Sequence, residues 1–122
     1  MAGQLAGHDL SSLKKCVSAG EALPAATRAL WKEASGIEMI DGIGSTELLH
    51  IFLSNAPGDL RYGSSGRPVP GYELRLLDDD GAPVADGDEG SLWVRGPTAA
   101  VAYFNQRARS LANLVLAAIE GA

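Results

Sequence analysis

The sequence predicts an α/β fold: a partial parallel sheet with a covering helix, then a small antiparallel β hairpin subdomain and a C-terminal helix. Three observations predict it. Residues 14–19, 24–35 and 37–41 read as strand, helix and strand, and a unit of that length implies a right-handed parallel crossover. Residues 72–77 and 91–95 alternate apolar and polar side chains with the period of two that a half-covered strand requires. In the tail, Leu111, Leu114, Val115, Ala118 and Ile119 recur at helical spacing. The expected organisation is an α/β part over 1–60, a connector and small β subdomain over 61–106, and a helical tail over 107–122.

Residues 1–8 carry Gly and Ala without periodicity and form a loose start. The strand over 14–19 places Cys16 and Val17 in an apolar run that Gly20 ends. Pro24 suits the first turn of a helix, where its missing N–H removes nothing, and Gly36 suits the stop. Leu23, Thr27, Leu30, Trp31 and Ala34 form the inward stripe of that helix, with Arg28, Lys32 and Glu33 facing out. Residues 48–53 read as a half-turn followed by a strand. The run 55–59 is a turn, and 61–71, rich in Gly and Pro, is an extended crossing between subdomains. Tyr72, Leu74 and Leu76 share one face of the next strand against Glu73 and Arg75. Leu92 and Val94 share a face of the last, which pairs antiparallel with it. The acidic stretches 78–81 and 86–90 are solvated turns, because Ala82 and Pro83 stand where a calcium loop needs a ligand and a glycine.

Composition narrows the function classes. With 46% hydrophobic and 20% charged residues, the 122-residue chain has the balance of a globular protein. A net charge of −5 speaks against a nucleic-acid or anionic-membrane surface. No apolar run approaches the roughly 18 residues of a membrane span. A single cysteine, Cys16, and a start without a basic, apolar leader make the cytoplasm the expected location. Cys16 itself has no neighbour in sequence that would activate its thiol.

The chemistry gathers at Asp41-Gly42-Ile43-Gly44-Ser45-Thr46-Glu47. Two glycines in four residues permit close backbone approach to a ligand, and two hydroxyls and a carboxylate follow. The same pattern also serves as an ordinary glycine turn with a hydroxyl opening a helix. In parallel α/β units ligands collect beyond the carboxyl ends of the strands. Residues 18–22 and 41–47 both fall there.

Gly44-Ser45-Thr46-Glu47 resembles the Gly-x-Ser/Thr-Thr-Glu motif of the adenylate-forming superfamily of acyl- and aryl-CoA ligases, luciferases and adenylation domains. Ser18-Ala19-Gly20-Glu21 with Leu23-Pro24 is similar to that family's adenine-side segment. Residues 62–71 and Gly90-Ser91-Leu92-Trp93-Val94-Arg95-Gly96 match two further segments in the family's order, with Ser91 where Glu is usual. Asp41-Gly42-Ile43-Gly44 followed by His50-Ile51-Phe52 resembles the benzoate–CoA ligase branch. The resemblance covers residues 9–110; nothing after Ser110 matches, so a truncated or frame-shifted end is expected.

The resemblance implies a reaction and a division of labour. A carboxylate attacks the α-phosphate of ATP to give an acyl-adenylate and pyrophosphate, and CoA thiol then displaces AMP. ATP, Mg²⁺, CoA and a small aromatic carboxylate are the implied cofactors and partners. Thr46 would hydrogen-bond the α-phosphate or the acyl carboxylate, and Glu47 would hold Mg²⁺. Asp41 would accept from the adenine amino group, with Gly20, Glu21 and Ala22 along one adenine face and Ile43 against the other. Ala19, Gly44, His50 and Ile51 would line the acyl pocket. His50 would contact the substrate carboxylate or close the pocket floor, unless its ring is satisfied by backbone.

The resemblance also implies parts beyond these residues: a phosphate-gripping loop with its Lys, a ribose-binding Asp and a catalytic Lys. The chain is therefore expected to be inactive in isolation, a piece of a longer ligase. The alternatives are a non-catalytic module that binds a nucleotide or an aromatic acid, and a functionless truncated product.

Overall fold

The computed structural model describes residues 7–113. In chain order it contains β1 (Cys16–Ser18), α1 (Ala25–Ser35), β2 (Met39–Gly44), a 3-10 turn (Thr46–Leu48), β3 (Ile51–Ser54), β4 (Arg67–Pro68), β5 (Glu73–Leu77), β6 (Ser91–Arg95) and α2 (Arg107–Asn113). One sheet has the order β1-β2-β3-β4, and β5 and β6 form a second. The α/β class with its antiparallel hairpin is thus as the sequence predicts. The chain divides into two compact units. One holds Met1–Gly44 and Leu53–Arg67, the other Ser45–Phe52 and Pro68–Ala122.

In the first unit β1 and β2 run parallel, with Cys16, Val17 and Ser18 opposite Met39, Ile40 and Asp41. The intervening helix starts one residue later than the proline signal suggests. Pro24 stays extended (φ −61°, ψ 137°) as the N-cap, and its carbonyl accepts from Arg28 N–H at 3.1 Å. Gly36 stops the helix in the left-handed region (φ 72°) and donates to Lys32 O. The expected inward stripe is only partly covered: no residue of α1 is buried, and Leu30 is half exposed. Arg28 is not a solvent-facing charge. Its guanidinium lies 3.7 Å from the Tyr62 ring centroid, where the cation meets the ring's negative face. Lys32 pairs with Glu38, whose other oxygen accepts from the Tyr62 hydroxyl at 2.6 Å.

The largest departure from the sequence reading is the length of β2. It continues through Asp41-Gly42-Ile43-Gly44, so the expected loop over 41–47 begins only at Ser45. Neither Gly42 nor Gly44 adopts positive φ, and Gly42 is buried. A turn conformation is therefore not what these glycines supply. Asn55 holds the strand in place. Its backbone N–H and its Nδ2 both donate to Asp41 O, at 3.0 and 3.2 Å. Nδ2 also donates to Ser64 O, and Oδ1 accepts from Arg61 N–H. Asn55 is 7% exposed, so each bond is made where water cannot replace it. Asn55→Ala is expected to destabilise the chain by roughly 2–3 kcal/mol by stranding these groups. A urea midpoint within error of the unaltered chain would contradict that role.

The crossing over 61–71 is not uniformly extended. A turn closes from Ser64 N–H to Arg61 O, and Arg67–Pro68 forms the short edge strand β4.

In the second unit β5 and β6 pair antiparallel from Glu73 opposite Arg95 to Leu77 opposite Ser91, and Glu73 and Arg95 form an ion pair at 2.7 Å. Tyr72 packs on Phe52, ring centroids 6.4 Å apart, and over Gly96. The first acidic stretch folds on itself: Asp78 Oδ1 accepts from the N–H groups of Asp80 and Ala82. Helix α2 opens at Arg107, four residues before the apolar stripe of the tail, and residues 114–122 of the expected helix lie outside the described residues. So do residues 1–6 of the expected loose start.

The apolar core is thin. Among the described residues only Ile40, Leu48 and Phe52 are buried hydrophobic side chains. No helix among them is long and apolar enough to cross a membrane.

Candidate functional site

Parallel pairing decides where the first group of candidate residues sits. With Ser18 opposite Asp41, the segment 19–22 leaves β1 at the same end at which β2 carries Asp41, Ile43 and Gly44. Ala19, Gly20, Glu21 and Ala22 are exposed. Gly20 takes φ 100°, and a Cβ built there meets nothing within 4 Å, so its backbone is open to a ligand. Alternation along β2 puts Asp41 and Ile43 on one face, while Ile40 and Gly42 on the other are buried. Asp41 is half-buried, and its Oδ1 accepts from Gly42 N–H at 3.1 Å. Ile43 keeps 39% of its surface exposed. Accessible backbone at residues 19–22, the Ile43 side chain and the Asp41 carboxylate thus lie at the same end of neighbouring strands.

The second group sits on the turn that follows. Ser45 is extended, and Thr46–Leu48 makes one 3-10 turn closed by Leu48 N–H to Ser45 O and Leu49 N–H to Thr46 O. Ser45 makes no side-chain cap, so its hydroxyl is not consumed in starting the turn. Leu49 then takes φ 70°, ψ −34°, and His50 N–H donates to Leu48 O at 2.8 Å, a γ-turn of the strained positive-φ kind. It leaves Leu49 and His50 exposed before β3 begins with half-buried Ile51. Thr46 is exposed and Glu47 half-buried.

Glu47 is the most constrained of these side chains. Its Oε1 accepts from the Tyr103 hydroxyl at 2.6 Å, and its carbonyl accepts from Ala100 N–H at 2.7 Å. The Tyr103 hydrogen bond, then the residue's own backbone N–H, hold the Glu47 carboxyl below its ordinary pKa, with smaller contributions from the Ser45 hydroxyl and then the Arg109 charge. The same bond pushes the Tyr103 phenol up. The guanidinium of Arg109 lies 4.1 Å from the Tyr103 ring centroid. Glu47 is thus an ionised, oriented carboxylate at neutral pH.

The structure brings Ala19 to Ala22 together with Asp41, Ile43 and Gly44 in the first unit, and Thr46, Glu47, His50 and Ile51 in the second. Sequence reasoning missed Tyr103 as a partner of Glu47 and Thr98 as a partner of Leu48, whose carbonyl accepts from its Oγ1 at 2.6 Å. Neither has a local signal, because each partner is 50 or more residues away along the chain.

Residues 1–104 match a family model described as AMP-binding enzyme. The chain is 51% identical over 104 residues to the benzoate–CoA ligase of Thauera aromatica, covering 84% of this chain and 20% of that protein. It superposes on the anthranilate CoA ligase AuaEII, solved in complex with anthranoyl-AMP, with a TM-score of 0.80. Sequence identity is 55%, over 89% of this chain and 22% of that one. On a benzoate CoA ligase from Burkholderia xenovorans LB400 the TM-score is 0.79 at 48% identity, over 91% and 24%. The chain spans about a fifth of the length of the curated relatives it matches.

Proposed function

The chain belongs to the AMP-binding enzyme family, and from that membership we propose that it forms part of an ATP-dependent aryl-CoA ligase of the benzoate–CoA ligase kind. The observation that carries the reading is the 51% identity over 104 residues to a benzoate–CoA ligase. The proposed reaction has two steps. An aryl carboxylate oxygen attacks the α-phosphorus of ATP, the bond to the bridging oxygen breaks, and pyrophosphate leaves. The CoA thiol then attacks the acyl carbonyl, loses its proton, and AMP departs with its P–O bond intact.

Such chemistry depends on positioning and on neutralising phosphate charge rather than on a nucleophilic side chain. Asp41 accepts from the adenine amino group, with the backbone of Gly20, Glu21 and Ala22 on one face of the base and Ile43 on the other. Thr46 donates its hydroxyl to the α-phosphate or the acyl carboxylate. Ala19, Gly44, His50 and Ile51 contact the acyl group, the first two leaving room for a planar ring.

No group of three or more metal-ligating side chains occurs among the described residues. Mg²⁺ needs only one or two protein carboxylates and completes its shell with water and substrate phosphates. Glu47, ionised and oriented, is the residue that would hold it, and the bound ion would supply charge neutralisation on the phosphates.

The test is benzoate-dependent ATP–pyrophosphate exchange in a hybrid ligase, the Thauera aromatica enzyme with its matching segment replaced by residues 1–104 of this chain. Exchange that responds to benzoate but not acetate supports the reading; a hybrid that folds yet exchanges with neither removes it. In that hybrid Ala19→Val adds two methyl groups at a strand end where a β-branched residue is tolerated. Overpacking of that order costs about 1–3 kcal/mol, so benzoate should bind roughly 5- to 150-fold more weakly with ATP nearly unaffected. Equal weakening of benzoate and ATP binding would place Ala19 outside the acyl pocket.

A further inference from the structure

We propose that Tyr103 is a positioning residue for Glu47, holding its carboxylate in the one orientation in which it meets a divalent cation arriving with the nucleotide phosphates. The inference rests on the reading of Glu47 as the cation-holding residue, and it adds a residue that the motif around Glu47 does not contain.

A glutamate on a one-turn 3-10 segment has three side-chain torsions, and its local partners, its own N–H and the Ser45 hydroxyl, act on it less than Tyr103 does. Here both ends of the residue are held from one stretch of chain. Ala100 N–H fixes the Glu47 carbonyl at 2.7 Å, and the Tyr103 hydroxyl fixes Oε1 at 2.6 Å. Two residues upstream of Ala100, Thr98 Oγ1 donates to Leu48 O at 2.6 Å. Its single proton being used there, Thr98 must accept from the Tyr72 hydroxyl, which lies 2.6 Å away. The stretch 98–103 therefore grips the turn at two successive carbonyls and one carboxylate.

Tyr103 is itself well anchored, which a positioning residue must be. Its backbone N–H donates to Ser110 Oγ at 2.9 Å, and Ser110, 8% exposed, donates onward to Gln106 O at 3.0 Å. The Arg109 guanidinium covers the ring. Asn105 supplies the positive φ (53°) that turns the chain from Tyr103 into α2, a conformation Asn adopts more readily than most residues. A phenol ordered in this way has only two torsions of its own, so it restrains the more flexible carboxylate rather than following it. Hydrogen bonds to a ligating carboxylate commonly carry a tenfold or larger effect on metal affinity.

The experiment uses the 122-residue chain with Mn²⁺ added together with ATP, following paramagnetic broadening of the Glu47 amide signal by NMR. The Mn²⁺ concentration for half-broadening is compared among the unaltered chain, Tyr103→Phe and Glu47→Gln, with thermal unfolding midpoints measured alongside. Phe keeps the ring on Arg109 and removes only the hydroxyl. The expected result is that Tyr103→Phe raises the half-broadening concentration about tenfold at a nearly unchanged midpoint, and that Glu47→Gln abolishes the selective broadening. Broadening in Tyr103→Phe equal to the unaltered chain, with Glu47→Gln still abolishing it, overturns the positioning role while the cation-holding role of Glu47 stands. Broadening indifferent to Glu47→Gln removes Glu47 from the cation site, and the proposal falls with it. If Tyr103→Phe does not fold, the unaltered chain decides. A slowly exchanging Tyr103 hydroxyl proton with a nuclear Overhauser contact to the Glu47 side chain supports the proposal, and its absence overturns it.

Discussion

Glu47→Gln in the hybrid ligase is expected to lower the ATP–pyrophosphate exchange rate on the order of 100-fold or more, with the fold retained. Two observations set that expectation. Gln has the volume of Glu, and its side-chain oxygen can still accept from the Tyr103 hydroxyl that lies 2.6 Å from Oε1. What disappears is the charge, and a neutral amide is a poor ligand for a hard divalent cation. The hydrogen bond also loses its charge assistance. The loss should therefore appear in adenylation and not in thioester formation from a preformed acyl-adenylate, where the pyrophosphate has already left. Measuring both half-reactions separates the two. An unchanged exchange rate would take Glu47 out of the site altogether.

Gly66→Ala should be strongly destabilising, on the order of 4 kcal/mol or more. Gly66 adopts φ 92°, which by itself costs a residue with a Cβ about 1–2 kcal/mol. The added atom would also fall 2.1 Å from the carbonyl carbon of Ser54 and 2.2 Å from the nitrogen of Asn55, both backbone atoms at the end of β3. Neither can swing aside as a side chain would. Moving them displaces Asn55, and with it the bonds to Asp41 O, Ser64 O and Arg61 N–H. Gly63→Ala is the matched control: φ is 81° there, but nothing lies within 4 Å of the new atom. Urea denaturation of both variants should show a small shift for Gly63→Ala and loss of the cooperative transition for Gly66→Ala. Equal shifts would mean that the close approach at Gly66 contributes nothing beyond the backbone angle.

Much of the fold is local and hence legible in order of residues. The strand–helix–strand unit follows from apolar runs separated by Pro24 and Gly36, and both act at the helix ends as their backbone chemistry requires. The β5–β6 hairpin follows from period-two alternation, which survives in the register from Glu73 opposite Arg95 to Leu77 opposite Ser91. Parallel pairing of β1 and β2 follows from the length of the crossover, and it brings 19–22 and 41–44 to one end of the sheet. The roles of the candidate side chains came from motif resemblance and remain proposals, whereas their places on the strand end and the following turn are what the fold shows.

Tertiary structure decided what local pattern leaves degenerate. Glycine pairs signal a loop, yet Gly42 and Gly44 lie in β2, because Asn55 bonds the Asp41 carbonyl from 14 residues away and Gly42 is buried. Arg28 reads as a solvated charge on a helical wheel, but a wheel carries no knowledge of Tyr62, over whose ring it lies. Gly66 looks like any turn glycine until the backbone of Ser54 and Asn55 is seen beneath it. Glu47 could be named from its motif, but not its orientation, since the hydroxyl that orients it belongs to Tyr103, 56 residues on. The physical reason is common to all four. Propensity and periodicity act between neighbours in the chain, whereas hydrogen bonds and steric exclusion act between neighbours in space.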